Sequence, residues 1–116
     1  MDFLVVEKEV KDEMNEKYIS ASFENIVSEL THALSDKDVR DIVLITDTAL
    51  VNIGDNVKDS VHIANGNVVI GDPEKGLSVL LDIKSINTIR IEKISRDGMV
   101  DYIKVKFTEV VEDGRR

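Results

Sequence analysis

At 116 residues, 42% of them hydrophobic, the chain is sized for one domain around a single core. Its formal charge of −8 argues against nonspecific binding to nucleic acid or to an anionic membrane, because contacts to phosphate come from Lys and Arg. The absence of cysteine removes disulfides, a thiolate nucleophile and any cysteine-based zinc site.

The start, "MDFLVVEKEVKDEM", has an apolar run of four residues and no basic stretch before it, unlike a secretory signal. No stretch approaches the roughly 20 apolar residues that a membrane-spanning helix needs. A cytoplasmic protein without a transmembrane segment is the expectation. "EKEVKDEMNEKYI" is charged and rich in helix formers but carries only a weak stripe. It predicts a frayed helix, or an arm over residues 1–20 that is flexible or ordered by a partner.

"SFENIVSELTHAL" is the clearest helix. Phe23, Ile26, Val27, Leu30, Ala33 and Leu34 recur at spacings of three and four and form one apolar stripe. Ser22 suits the N-cap, and Glu24 falls in the first turn, where the helix dipole favours negative charge. After the polar link "SDKD", short alternating runs separated by turn signals predict strands at 40–46, 49–54, 61–64, 67–70, 77–83, 87–94 and 100–107. With aromatics at 4% and no Trp, Ile, Val and Leu must build the core, and the β-branched ones favour pleated surfaces.

Asn65-Gly66 suits a two-residue type I′ turn, which pairs Ile63 with Val68 and Val61 with Ile70. "GDPEKG" marks a loop between strands. In "INTIRIEKISRDGMVDYIKVKF", a two-residue Asp97-Gly98 turn would mix polar and apolar side chains on both faces. A three-residue loop of Arg96, Asp97 and Gly98, with Gly98 left-handed, instead pairs Ile91 with Ile103 and Ile89 with Val105. One face of that hairpin is then apolar, and the other carries Arg90, Glu92, Tyr102, Lys104 and Lys106. Arg90 and Lys104 fall opposite each other, a like-charge pairing that costs a little stability.

The charge runs along the chain. Residues 1–41 hold five basic and eleven acidic side chains, residues 42–83 two and six, and residues 84–116 eight and six. The cationic stripe of Arg90, Lys104 and Lys106 is therefore complementary to the first third, which favours self-association. Tyr102 is the one aromatic available there to stack a base, so RNA or DNA is the weaker reading.

Catalytic signals are absent from the sequence. His32 and His62 are the only imidazoles, and neither has a second His or a ligand spacing near it. His32 suits the C-terminal end of the helix, and His62 should point away from the face of Val61 and Ile63. Carboxylates gather at Asp36, Asp38 and Asp41, and at Asp55, Asp59, Asp72 and Glu74. Neither group has the regular spacing of a calcium loop, and both read as solvated loops. Gly54, Gly66, Gly71, Gly76 and Gly98 read as turn residues at strand ends. No catalytic residue, metal site or cofactor is expected.

"TDTALVNIGD", followed by a hairpin and "LSVLLDIKSINTIRIEK", resembles the strand rhythm of bacterial pleckstrin-homology-like domains over residues 42–107. In these a short "LxDIxSI" segment leads into a long alternating strand. With the helix at 22–34 ahead of it, the same stretch is similar in outline to Sm-like small barrels, which assemble as rings. The pleckstrin-like pattern ends in a helix, whereas this chain ends in "TEVVEDGRR". The Sm-like glycine and asparagine signatures are missing, and neither resemblance carries site residues over.

The expected fold is α+β and mainly β: one domain over residues 1–116, with 108–116 as a tail. In it the amphipathic helix packs on a strongly bent antiparallel sheet or a small, partly open barrel of about seven strands. The expected function is a noncatalytic protein-interaction or assembly domain, partnered by copies of itself or by another protein. The alternative is a module for an anionic ligand (small molecule, lipid headgroup or RNA) at Arg90, Tyr102, Lys104 and Lys106.

Overall fold

The computed structural model describes residues 15–109 other than Pro73, Lys75 and Arg96. The arm expected before residue 15, the tail after residue 109 and Arg96 of the expected loop lie outside the described residues. In chain order the elements are β1 (Glu16–Ser20), α1 (Phe23–Ser35), β2 (Val39–Thr46), β3 (Leu50–Gly54), a 3-10 helix (Asp55–Ser60), β4 (Val61–Ala64), β5 (Asn67–Asp72), β6 (Leu77–Asp82), a 3-10 turn (Ile83–Ser85), β7 (Ile86–Ile94) and β8 (Val100–Thr108).

Helix α1 forms where the stripe predicts it. Ser22 is extended and its hydroxyl oxygen accepts from the Asn25 N–H at 3.1 Å, satisfying one of the orphan amides of the first turn. Such a cap contributes about 1 kcal/mol. Ile26, Leu30 and Ala33 are buried, while Phe23, at the start of the stripe, stays exposed. At the other end the Lys58 ammonium donates to the carbonyls of Asp36 and Val39, at 2.8 and 3.0 Å, tying the first 3-10 helix to the chain that leaves α1.

The mainly β character holds, but the sheet arrangement differs from expectation in three ways. The described residues form eight strands, and they lie in two sheets, ordered β1-β8-β7-β2-β3 and β4-β5-β6, in place of one bent sheet or barrel of about seven strands. The larger sheet is mixed, because β1 pairs parallel with β8. Residues 16–20, expected as part of a frayed helix or arm, are a strand, and Thr108, expected in the tail, pairs with Ser20 as the last residue of β8.

Direction accounts for α1's place. β2 is antiparallel to β7 and β7 to β8, so β1 and β2 run the same way with two strands between them. Parallel strands need a crossover connection, and α1 is that crossover. It lays its buried stripe on the inner face of the large sheet. One core then joins Ile26 and Leu30 of α1, Ile42, Leu44, Ile89, Ile91, Val105 and Phe107 of the large sheet, and Val68 of the small one.

Both hairpin registers follow the patterning argument. Asn65 and Gly66 take φ of 53° and 78°, and Ile63 pairs with Val68 and Val61 with Ile70. In the β7–β8 hairpin Ile91 pairs with Ile103, Ile89 with Val105 and Arg90 with Lys104. The Ser95 carbonyl accepts from Gly98 N–H, the Ser95 N–H donates to Met99, and Gly98 has φ of 79°. This is the one-residue offset that puts every isoleucine of the hairpin's inner face on one side.

Candidate functional site

On the outer face of the large sheet, away from α1, the strand registers align side chains in rows. One row runs Glu16, Lys104, Arg90, Val43 and Asn52 from β1 to β3, and the next Tyr18, Lys106, Thr88, Ile45 and Leu50. A third brings together Tyr102, Glu92 and Asp41. The structure thus gathers all four candidate residues, Arg90, Tyr102, Lys104 and Lys106, on one face, as the sequence predicts.

It also places a carboxylate among them that sequence reasoning missed. Glu16 Oε1 lies 3.2 Å from Lys104 Nζ and Oε2 lies 3.7 Å from Lys106 Nζ, while the Tyr18 hydroxyl donates to Oε2 at 2.8 Å. The Tyr18 hydrogen bond, followed by that of Lys104, holds the Glu16 carboxyl below its ordinary range. Lys106 also stands 5.6 Å over the Tyr18 ring, and Arg90 5.9 Å over the ring of Tyr102, its diagonal neighbour. Arg90 faces Lys104 directly, and Glu16 in the same row offsets that repulsion.

Elsewhere on the hairpin Lys93 pairs with Asp36 at 2.8 Å. This bond and the Asp38 N–H lower the Asp36 pKa. These two carboxylates, Glu16 and Asp36, come from the acidic first third of the chain. Three cations of the hairpin are therefore ion-paired within the molecule, Lys104 and Lys106 sharing the single charge of Glu16. In the third row Glu92 and Asp41 share a hydrogen bond across β7 and β2, which raises the Glu92 pKa, with burial adding to the effect.

The remaining candidates are dispersed. His62 is exposed on β4, opposite the face of Val61 and Ile63 as expected. His32 lies in the last turn of α1 beside a 100 Å³ cleft with Lys17, Glu29, Asp36 and Lys93 around an apolar floor that includes Ala33 and Ile91. Two larger clefts, of 260 and 370 Å³, flank Ile94 and Ser95 near Asp38. Among the described residues no three His, Asp or Glu side chains meet as metal ligands. Gly71, expected at a strand end, lies inside β5 with φ of 110°.

The sheet edges form a second set of candidates; among the described residues the outermost strands are β1 and β3 of the large sheet and β4 and β6 of the small one. β1 reads Glu-Lys-Tyr-Ile-Ser, with Ile19 its one aliphatic residue, packed against the core. β3 and β4 are short and flank the first 3-10 helix. β6 reads Leu-Ser-Val-Leu-Leu-Asp, with Val79 48% and Leu80 66% exposed. A further apolar group, Ile94, Met99 and Val100, is exposed at the tip of the β7–β8 hairpin.

No family model, curated protein or solved structure matches this chain. Among the described residues no helix is long and apolar enough to cross a membrane.

Proposed function

We propose that this chain is a noncatalytic interaction domain that assembles with copies of itself. The observation that supports this reading most is the β6 edge, where two large aliphatic side chains stand exposed on a strand whose outward side pairs with no other strand among the described residues. Natural edges are normally blunted by charge, proline or a bulge. Within β6 there is no Lys, Arg or Pro, and its only charged residue is the terminal Asp82.

Attraction between the cationic stripe and the acidic third of a neighbour is less well supported than the sequence alone suggests, because Glu16 already engages Lys104 and Lys106. The same pairing weakens the reading of an anion site, leaving Arg90, stacked on Tyr102, as its one cation without a carboxylate among the described residues. The pleckstrin-like and Sm-like outlines remain resemblances of strand rhythm, of which the Sm-like one agrees with assembly.

The test is absolute mass by light scattering over a concentration series, at low and high salt. A discrete oligomer that persists in salt is the expected result, since burial of aliphatic surface is not screened. A monomer at every concentration overturns the reading. An oligomer that dissolves in salt transfers it to the charged stripe.

A further inference from the structure

We infer that two copies join edge to edge through β6, antiparallel about a two-fold axis at Leu80, making one six-stranded sheet of their two small sheets. The inference rests on the self-association proposed above and names the surface that performs it.

The register of the small sheet decides which backbone groups of β6 are available. A two-residue type I′ turn is closed by a hydrogen-bonded pair, so Ala64 and Asn67 exchange both of their bonds. Counting outward, His62 and Val69 form the next such pair, and Val68, Ile70 and Asp72 turn their amides to β6. Their partners Leu81, Val79 and Leu77 are thereby occupied. The N–H and C=O groups of Ser78 and Leu80 point away from β5, toward the open edge.

A second β6 fits that edge in one favourable register. With Leu80 opposite Leu80 of the other copy, Ser78 meets Asp82 and Val79 meets Leu81. Apolar side chains then face apolar ones on both faces of the joined sheet, and the Ser78 hydroxyl meets the Asp82 carboxylate as a donor. Sliding by two residues one way sets Leu80 against Asp82. Sliding the other way leaves Leu80 against Ser78. In the first register no charge faces its own copy, and the exposed Leu80 joins the row that already holds the buried Val69. A strand of this composition is complementary to its own reverse, which favours a second copy over an unrelated strand.

The experiment uses the full chain. Because it has no cysteine, Leu80→Cys introduces a single thiol, and a hydrogen-bonded antiparallel pair sets Cα atoms about 5.5 Å apart, within disulfide reach. Air oxidation is expected to cross-link Leu80→Cys into dimers, and not to cross-link Leu50→Cys or Met99→Cys, two equally exposed controls. Leu80→Lys, with its fold checked by circular dichroism, is expected to weaken the dimer about thirtyfold or more.

An oligomer that survives Leu80→Lys and cross-links at Met99→Cys instead overturns the β6 pairing but keeps self-association. Wild-type protein that is a monomer at every concentration overturns both.

Discussion

β1 and β6 are both outermost strands, yet they meet solvent differently. β1 docks parallel on β8 and brings Glu16 between Lys104 and Lys106, so its side chains close a charged network on the face of its own sheet. β6 has three aliphatic neighbours in a row, Val79, Leu80 and Leu81, and only Leu81 is drawn into the core cluster. The difference shows how a strand's own sequence decides whether an edge is finished or left available. Charged side chains such as Glu16 and Lys17 cost little at an edge and discourage a second strand, whereas exposed leucine and valine gain from being covered.

The largest effect expected from testing this contrast comes from removing core contacts that each sheet makes. Ile89→Ala, at a fully buried position in the middle of the large sheet, should destabilise the domain by about 2–5 kcal/mol in urea unfolding. Leu80→Ala should change the stability of the monomer by no more than about 0.5 kcal/mol, as expected of a surface position, while weakening association. Equal losses at the two positions would erase the distinction between a finished and an available surface.

Next comes the turn that holds the small sheet in register. Gly66 has φ of 78° with open space where a Cβ would stand, so Gly66→Ala meets backbone strain without a clash. A loss on the order of 1 kcal/mol is expected. If β6 is the assembling edge, dimer formation should weaken with it, because β6 is held by β5. A change in stability with unaltered association would separate the two.

Smaller effects belong to the charged edge. Glu16→Gln leaves Lys104 and Lys106 without their carboxylate and Arg90 facing Lys104 unrelieved. The urea midpoint should fall at low salt and return toward wild type at high salt, with association unchanged. A fall in oligomeric mass would show that the charged edge, and not β6, holds the copies together.

The smallest effect is a dependence on pH. Glu92 has a folded pKa above its ordinary 4.5, so the folded state binds more protons than the unfolded one just above that value. Its stability contribution is intact below the ordinary value and is lost as pH rises through the raised one. Glu92→Gln should abolish that loss. Glu16 and Asp36 act in the opposite direction: their lowered pKa values mean stability that is present at neutral pH and lost as pH falls below the ordinary carboxylate range. A titration of the unfolding midpoint for wild type and Glu92→Gln reads both signs.

Much of this architecture is legible in the chain. The cap at Ser22, the stripe of α1, the Asn65-Gly66 turn and the offset that aligns Ile89 with Val105 are local signals, each set by side chains a few residues apart. The elements that escape are set by distance. β1 has only Ile19 directed toward the core, too few apolar positions to show a period of two. Its partner β8 lies at the other end of the chain. The division into two sheets depends on which hairpins pair, and no short-range pattern encodes that. Glu16 escapes for the same reason as β1, and without it the stripe of Arg90, Lys104 and Lys106 looks like an unsatisfied cationic surface. A hint lies in Ser22 and Tyr18-Ile19: the cap ends any helix that runs up to Ser22, and Tyr and Ile just before it favour a strand.

The most direct measurement is amide hydrogen exchange, resolved by residue, in dilute and concentrated protein. Exchange at Ser78 and Leu80, whose amides face outward from β6, is expected to slow as concentration rises, while Lys17 and Tyr18 in β1 keep their rates. Exchange at Ser78 and Leu80 that is independent of concentration, in protein shown to be oligomeric, would contradict the β6 pairing.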